Sequence, residues 1–353
     1  MNNQQLVLIT AANGHVGLPA AKELLALGFK VRALVRNDKA AGSVELAELG
    51  AEIFIGDMND IRDLREALKG VTRAFFGSPT GRNSLLRTIA FIIAAEEAQL
   101  EHVVYLTQWL ASEAHHSIHT KEHWLGDQVV KMHRKVNYTF INPGFFAFVY
   151  FLTTEAVAQL GMMPSPLKGA ASGEVGLNAP PSEEDQGRVV AHILKDPTQH
   201  IGQTYRPTGP KEISIADAAN TFAKILGRSV KVTEVPEKMF LKALKSQKWP
   251  PYNYYNVRYY MKEFEENSFA VGGSVTNVVK NITGREPEDF ETIARREFDK
   301  SPQAKRTLMN KLKAIRNFIK LLLTHTSDMI SHEKSVYIQM FMNKMEFFNS
   351  NEN

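Results

Sequence analysis

The chain of 353 residues is 44% hydrophobic and 23% charged, a balance that folds into packed domains and is far from a disordered composition. It contains no cysteine, which excludes disulfides, thiolate nucleophiles and cysteine-ligated zinc or iron–sulfur centres. The net charge is +4, and residues 301–353 carry eight Lys/Arg against four Asp/Glu. Residues 1–300 are therefore neutral and offer no basic footprint for a nucleic acid. No apolar run reaches the roughly 18–20 residues of a membrane span, and MNNQQLVLIT lacks the basic, apolar and small-residue regions of a signal peptide. The expectation is a cytoplasmic protein.

The first 145 residues alternate strand and helix patterns. QLVLIT (5–10) reads as a buried strand, and 15–27 repeats apolar residues at helical spacing. Strands follow at 30–36, 51–57, 71–77, 102–107 and 137–142, with helices at 41–50, 60–68, 84–98 and 120–134. Strands that are apolar on both faces and alternate with helices need crossover connections. This predicts a parallel, doubly wound Rossmann-type sheet over 1–150. Residues 151–300 read as a smaller α/β cap interleaved with it: a Gly/Pro/Ser-rich loop over 161–182, a helix at 184–195, a strand at 203–208, a helix between Ser214 and Gly227, and a strand at 229–235.

Between the first strand and the first helix stands TAANGHVG, Thr10 to Gly17. Glycine at 14 lets a phosphate approach the backbone, and glycine at 17 lets the helix pack tightly on the strand. The helix start then offers unpaired N–H groups and its positive dipole end to a pyrophosphate. The same spacing also serves an ordinary tight turn; its place after the first strand of a βαβ series favours the nucleotide. At the end of the second strand, Arg36 suits the 2′-phosphate of NADP, whereas the nearby Asp38 is the rival for the free ribose of NAD. NADP(H) is preferred over NAD(H).

These motifs, in this order, resemble the NmrA-like branch of the atypical short-chain dehydrogenase/reductase superfamily over roughly 5–299. The matching pieces include TAANGHVG, VR (35–36), GDMND (56–60), FFGSP (75–79), YTFINPGFF (138–146), the segment 205–235 and GREPEDFETIAR (284–295). The resemblance implies NAD(P)(H) binding, with some members reducing quinones, imines or carbonyls and others acting as redox-sensing regulators. It implies that Thr10 and Asn13, Gly14, His15, Val16 and Gly17 form the pyrophosphate loop, with Arg36 on the 2′-phosphate. Asp57 and Met58 would flank the adenine. Gly77, Ser78 and Pro79 would run beside the middle of the cofactor, and Pro143, Gly144 and Phe145 beside the nicotinamide. Ala11 stands where the family has Gly.

The superfamily's Tyr-x-x-x-Lys pair sets a phenol and an ammonium one helical turn apart for proton transfer. Here Lys121 has Ser117 four residues before it, so the phenol is missing. Lys121 remains a candidate for the nicotinamide ribose, Thr107 matches the position of a catalytic Ser/Thr, and His119 is a candidate proton donor. His115, His119 and His123 are spaced by four, yet Ser117 and Thr120 read as caps of a helix starting near Lys121, which breaks their common face; no metal is expected. WPPYNYYNVRYY (249–260), with Phe145, Phe146, Phe148, Tyr150 and Phe151, reads as lid, cleft lining or cap packing.

Beyond Lys300 the resemblance ends. Leu308, Leu312, Ile315, Ile319 and Leu322 form an apolar stripe among lysines and arginines, and a second apolar stretch runs over 336–348. The expectation for 301–353 is a basic amphipathic helical extension packed on the body or across a dimer interface, with docking on an anionic membrane or in a partner's groove as the alternative. The functional expectation is an NADPH-dependent reductase of small apolar carbonyls or quinones. The alternative is a non-catalytic NADP(H) sensor acting through a protein partner, and the protein would be a monomer or homodimer.

Overall fold

A computed structural model describes residues 5–79, 81 and 83–325, the side chains of Pro251, Tyr254 and Tyr255 excepted. The apolar stretch 336–348 lies outside the described residues. Strands β1 (Leu6–Thr10), β2 (Lys30–Val35), β3 (Glu52–Ile55), β4 (Arg73–Phe76), β5 (His102–Leu106), β6 (Asn137–Ile141) and β8 (Thr204–Tyr205) form one sheet in the order β3-β2-β1-β4-β5-β6-β8. Every ladder in it is parallel.

Alternation along each strand feeds two cores. Val7, Ile9, Phe75 and Val104 face α1 (Gly17–Ala26), α2 (Ala41–Glu48) and α6 (Glu183–Lys195), while Leu8, Phe76, Val103 and Tyr105 face α3 (Ile61–Ala67), α4 (Ser84–Glu97) and α5 (Ile118–Met132). Fully buried rings such as Phe75, Phe76 and Phe91 each stabilise the fold by about 1.5–3 kcal/mol.

The 151–300 region does two jobs. Helix α6 lies against α1, and a Cβ at Gly187 would come within 2.5 Å of Pro19 Cβ. With β8 it completes the nucleotide-type half, and α10 (Val278–Thr283) packs on α6. The remainder surrounds a third core containing Tyr150, Phe222, Phe264, Phe269, Phe290 and Phe298. Helix α7 (Ile215–Leu226) is closed as its sequence predicts, by a reciprocal Ser214–Asp217 capping box and by Gly227 at φ +62°.

Two expectations are corrected. The stretch 161–182 is not all loop, because β7 (Met162–Ser165) pairs in parallel with β9 (Lys231–Glu234) as a separate two-stranded ladder. The strand expected over 203–208 shrinks to Thr204–Tyr205 at the sheet edge, where Pro207 cannot donate to a ladder.

The aromatic segment at 249–260 becomes most of α9 (Pro251–Glu265), next to α8 (Glu237–Ser246). Helix α11 (Phe290–Lys300) leads to α12 (Leu308–Leu323), which rests on α8 and on the segment 156–160. The apolar stripe of α12 does not make that contact. Ala314, Asn317, Phe318 and Leu321 do, and the stripe faces outward. No helix among the described residues is long and apolar enough to cross a membrane.

Candidate functional site

In a doubly wound sheet the crevice opens where neighbouring strands send their connections to opposite faces. Here that point lies between β1 and β4. Thr10 ends β1 fully buried; its hydroxyl accepts from the Gly77 amide at 2.9 Å and donates to the Gly77 carbonyl at 3.4 Å. Thr10 thus ties together the loops leaving β1 and β4, and presents no hydroxyl to the crevice.

The chain turns at Ala11, which holds φ +44°, a left-handed conformation that costs an L-residue roughly 1–2 kcal/mol. The Gly14 amide closes the turn on the Ala11 carbonyl at 2.8 Å. A Cβ on Gly17 would sit only 2.4 Å from that oxygen, so this glycine is required by space; one on Gly14, at 3.0 Å, would be tight. Among the described residues the N–H groups of Asn13, His15, Val16 and Gly17 have no acceptor, and the start of α1 has no side-chain cap. Such unpaired amides at a helix N-terminus suit a diphosphate. Asn13 instead directs its side chain to Ser43 Oγ at 3.2 Å. The His15 ring stacks on Phe148, with centroids 4.1 Å apart and planes at 10°; burial lowers its pKa, with Glu297 opposing.

Arg36, at the end of β2, is exposed, and no hydrogen bond or ion pair within the described residues engages its guanidinium. Asp57, after β3, is exposed and accepts from the Asn59 backbone and side-chain amides at 2.9 and 2.7 Å; Met58 is buried beneath it. After β4, the loop is braced by Arg87 of α4, a residue the sequence reading passed over. Only 7% exposed, it donates to Ser78 Oγ at 2.9 Å and to the Pro79 carbonyl at 2.6 Å. Burial lowers its pKa, with Asp57 and Glu122 opposing.

After β5, Thr107 is buried and donates to Asp127 of α5 at 2.7 Å. Burial pushes the Asp127 carboxyl up to about 7, against the Thr107 hydrogen bond and Lys131. Ser117, in the position of the missing tyrosine, is the N-cap of α5: it accepts from the Thr120 amide at 3.4 Å and donates to Asn256 Oδ1 at 2.8 Å. Lys121 lies on the exposed face of α5, away from the buried His119, Thr120, Gly126 and Val130. His115 precedes the helix and pairs with Glu263, so the three histidines share no helical face.

His119 is fully buried, edge-on to His123 and Tyr252. Burial, helped by Arg87, lowers its pKa to about 4; burial, His119 and Arg87 take His123 to about 3. Both rings are neutral near pH 7.

After β6, Gly144 at φ +79° turns the chain so that Phe145 stacks on Phe264 at 4.6 Å. Trp109 carries the Arg206 guanidinium 3.8 Å over its ring. Phe145 and Phe148 border a cavity of about 170 Å³ whose other walls include Tyr150, Met163, Phe240, Leu244, Trp249 and Tyr260. The loop after β1 therefore touches one wall of the apolar cavity, through the His15–Phe148 stack. Phe151, by contrast, packs into the third core beside Phe222 and Phe290.

The switch-point crevice, the glycine-backed helix start and the strand order define a Rossmann-type α/β protein whose crevice opens beside a helix N-terminus. The chain belongs to the NmrA-like family, whose sequence pattern matches residues 3–294. Among relatives, an NAD(P)H azoreductase of Xenophilus azovorans is 28% identical over 232 residues, 65% of this chain and 77% of that one. An NADPH-dependent quinone oxidoreductase of Escherichia coli, solved with NADPH, superposes with a TM-score of 0.66 at 21% identity over 83% of this chain and 99% of the other. NmrA, a negative transcriptional regulator solved with NADP, gives 0.67 at 16% identity over 83% and 95%.

Proposed function

We propose that the protein is an NADPH-dependent reductase of small, flat, apolar carbonyls or quinones. The observation that carries this reading is the His15–Phe148 stack, through which the loop bearing the unpaired amides touches a side chain that lines a cavity walled by aromatic and aliphatic groups. The amides of Asn13, His15, Val16 and Gly17 would hold the diphosphate, and Arg36 the 2′-phosphate through charge-assisted hydrogen bonds. Pro143, Gly144 and Phe145 would border the nicotinamide, and the cofactor supplies the hydride when bound.

Lys121, exposed on the first turn of α5, would orient the nicotinamide ribose. His119, buried and neutral near pH 7, is poorly placed to give up a proton. The proton matching each hydride is better held by Thr107, whose hydroxyl is backed by a carboxyl that half-ionises at about 7. The apolar cavity favours substrates with little charge, because a charged group there would lack partners.

A second reading, a non-catalytic NADP(H) sensor acting through a protein partner, is favoured by one observation: Ser117 is committed to capping α5, so the usual proton donor has no replacement on that helix. NADPH oxidation measured across a panel of quinones and aldehydes separates the two. Turnover of uncharged aromatic acceptors is the expected result; tight NADPH binding with no turnover on any acceptor contradicts the reductase and leaves the sensor.

A further inference from the structure

Among the described residues, helix α12 is anchored on one side and bare on the other. Ala314 is buried, Asn317 donates to the Glu155 carboxylate at 3.0 and 3.1 Å, and Phe318 and Leu321 line the groove against α8. The stripe points away from the body: Leu308 is 75% exposed, Leu312 56% and Ile319 52%. At about 100° per residue, Arg316 falls along one edge of this stripe and Lys311 along the other, while Lys320 sits further round towards the groove against α8; all three are exposed. Residues 302–323 contain no Asp or Glu. From α8, Lys242 and Lys245 reach the carbonyls of Leu322 and His325 at 2.9 and 3.1 Å, adding two cations at the same end. The family pattern stops at 294, so this helix is an addition to the shared fold.

We propose that α12 seats the protein on an anionic lipid surface. The apolar stripe would enter the boundary between headgroups and acyl chains, and the flanking cations would meet lipid phosphates and carboxylates. An apolar row with cations on both edges and no anion matches that surface in charge as well as polarity. A second copy matches it less well, because two-fold pairing through the stripe sets Lys311 and Arg316 near the same cations of the other copy, and 302–323 offers no acid to neutralise them. The buried face of Ala314, Phe318 and Leu321 stays on the body throughout, so docking needs no rearrangement.

The test is flotation of the full chain with phosphatidylcholine vesicles containing about 30% phosphatidylserine, against pure phosphatidylcholine. Wild type should partition at least about tenfold better onto the anionic vesicles, and raising salt to about 0.5 M should remove most of that advantage. The exposed double variant Leu312→Glu/Ile319→Glu should melt as wild type yet lose binding about tenfold or more. Neutralising Lys311, Arg316 and Lys320 to Gln should abolish only the anionic preference. The proposal is overturned if the full chain ignores anionic vesicles, or if the double variant binds them as wild type does. It is equally overturned if that variant converts a homodimer to monomer in sedimentation without changing vesicle binding, since the stripe would then be covered by a second copy.

Discussion

At the scale of single residues, Asp127 is the position where structure adds most to the sequence. A carboxyl at hydrogen-bond distance from Thr107 is held up to about 7 by burial, against roughly 4 in an unfolded chain. Between those values the native protein keeps a proton that the unfolded chain has released. The stability due to this group is therefore complete at low pH and lost as pH rises towards 7. Asp127→Asn removes the charge while keeping an oxygen for Thr107. In urea unfolding the variant should match wild type near pH 4 and exceed it by roughly 1–3 kcal/mol at pH 8; a difference that does not change with pH contradicts the assignment. If the pair also holds the catalytic proton, the same variant loses kcat about 100-fold or more with NADPH affinity retained.

Arg87 had a signal of its own, a single charge inside the apolar run SLLRTIAFIIAA. Asp127 lies four residues after His123 on the buried side of α5, but a carboxylate among polar neighbours reads as surface until the fold packs it. Ala11 was legible as a departure from glycine; that it nonetheless takes up positive φ required the coordinates.

At the scale of elements, the strands of the parallel sheet and the crossover helices were legible because both-face apolarity and helical spacing are local patterns. Ser214 and Gly227 marked α7 for the same reason. The β7–β9 ladder was not, since MMPS (162–165) has no β-branched residue and gains strand geometry only from a partner almost seventy residues on. The orientation of α12 was missed because periodicity finds a stripe without saying which side the body takes. Ala314 and Asn317, weakly apolar or polar, turned out to mark the packed side.

The contact of α6 with α1 yields a test at this scale. A Cβ on Gly187 would lie 2.5 Å from Pro19 Cβ and 2.6 Å from the Ala20 amide nitrogen, backbone that cannot yield without separating the helices. Gly187→Ala should lower unfolding free energy by about 2–3 kcal/mol, despite the usual helical preference for alanine. An unchanged urea midpoint contradicts the close packing.

For the molecule as a whole, one half presents loops at the carboxyl ends of parallel strands and the other half closes an apolar cavity over them, with an added basic helix on the outside. Reduction by this protein requires the first of these to hold an NADP diphosphate and its 2′-phosphate. Calorimetric titration of NADP and NAD into wild type and Arg36→Ala tests it most directly. Wild type should bind NADP the more tightly, and the variant should lose roughly tenfold or more for NADP, about 1.4 kcal/mol or above, with NAD unchanged. No heat with either dinucleotide, or equal losses for both, contradicts the account.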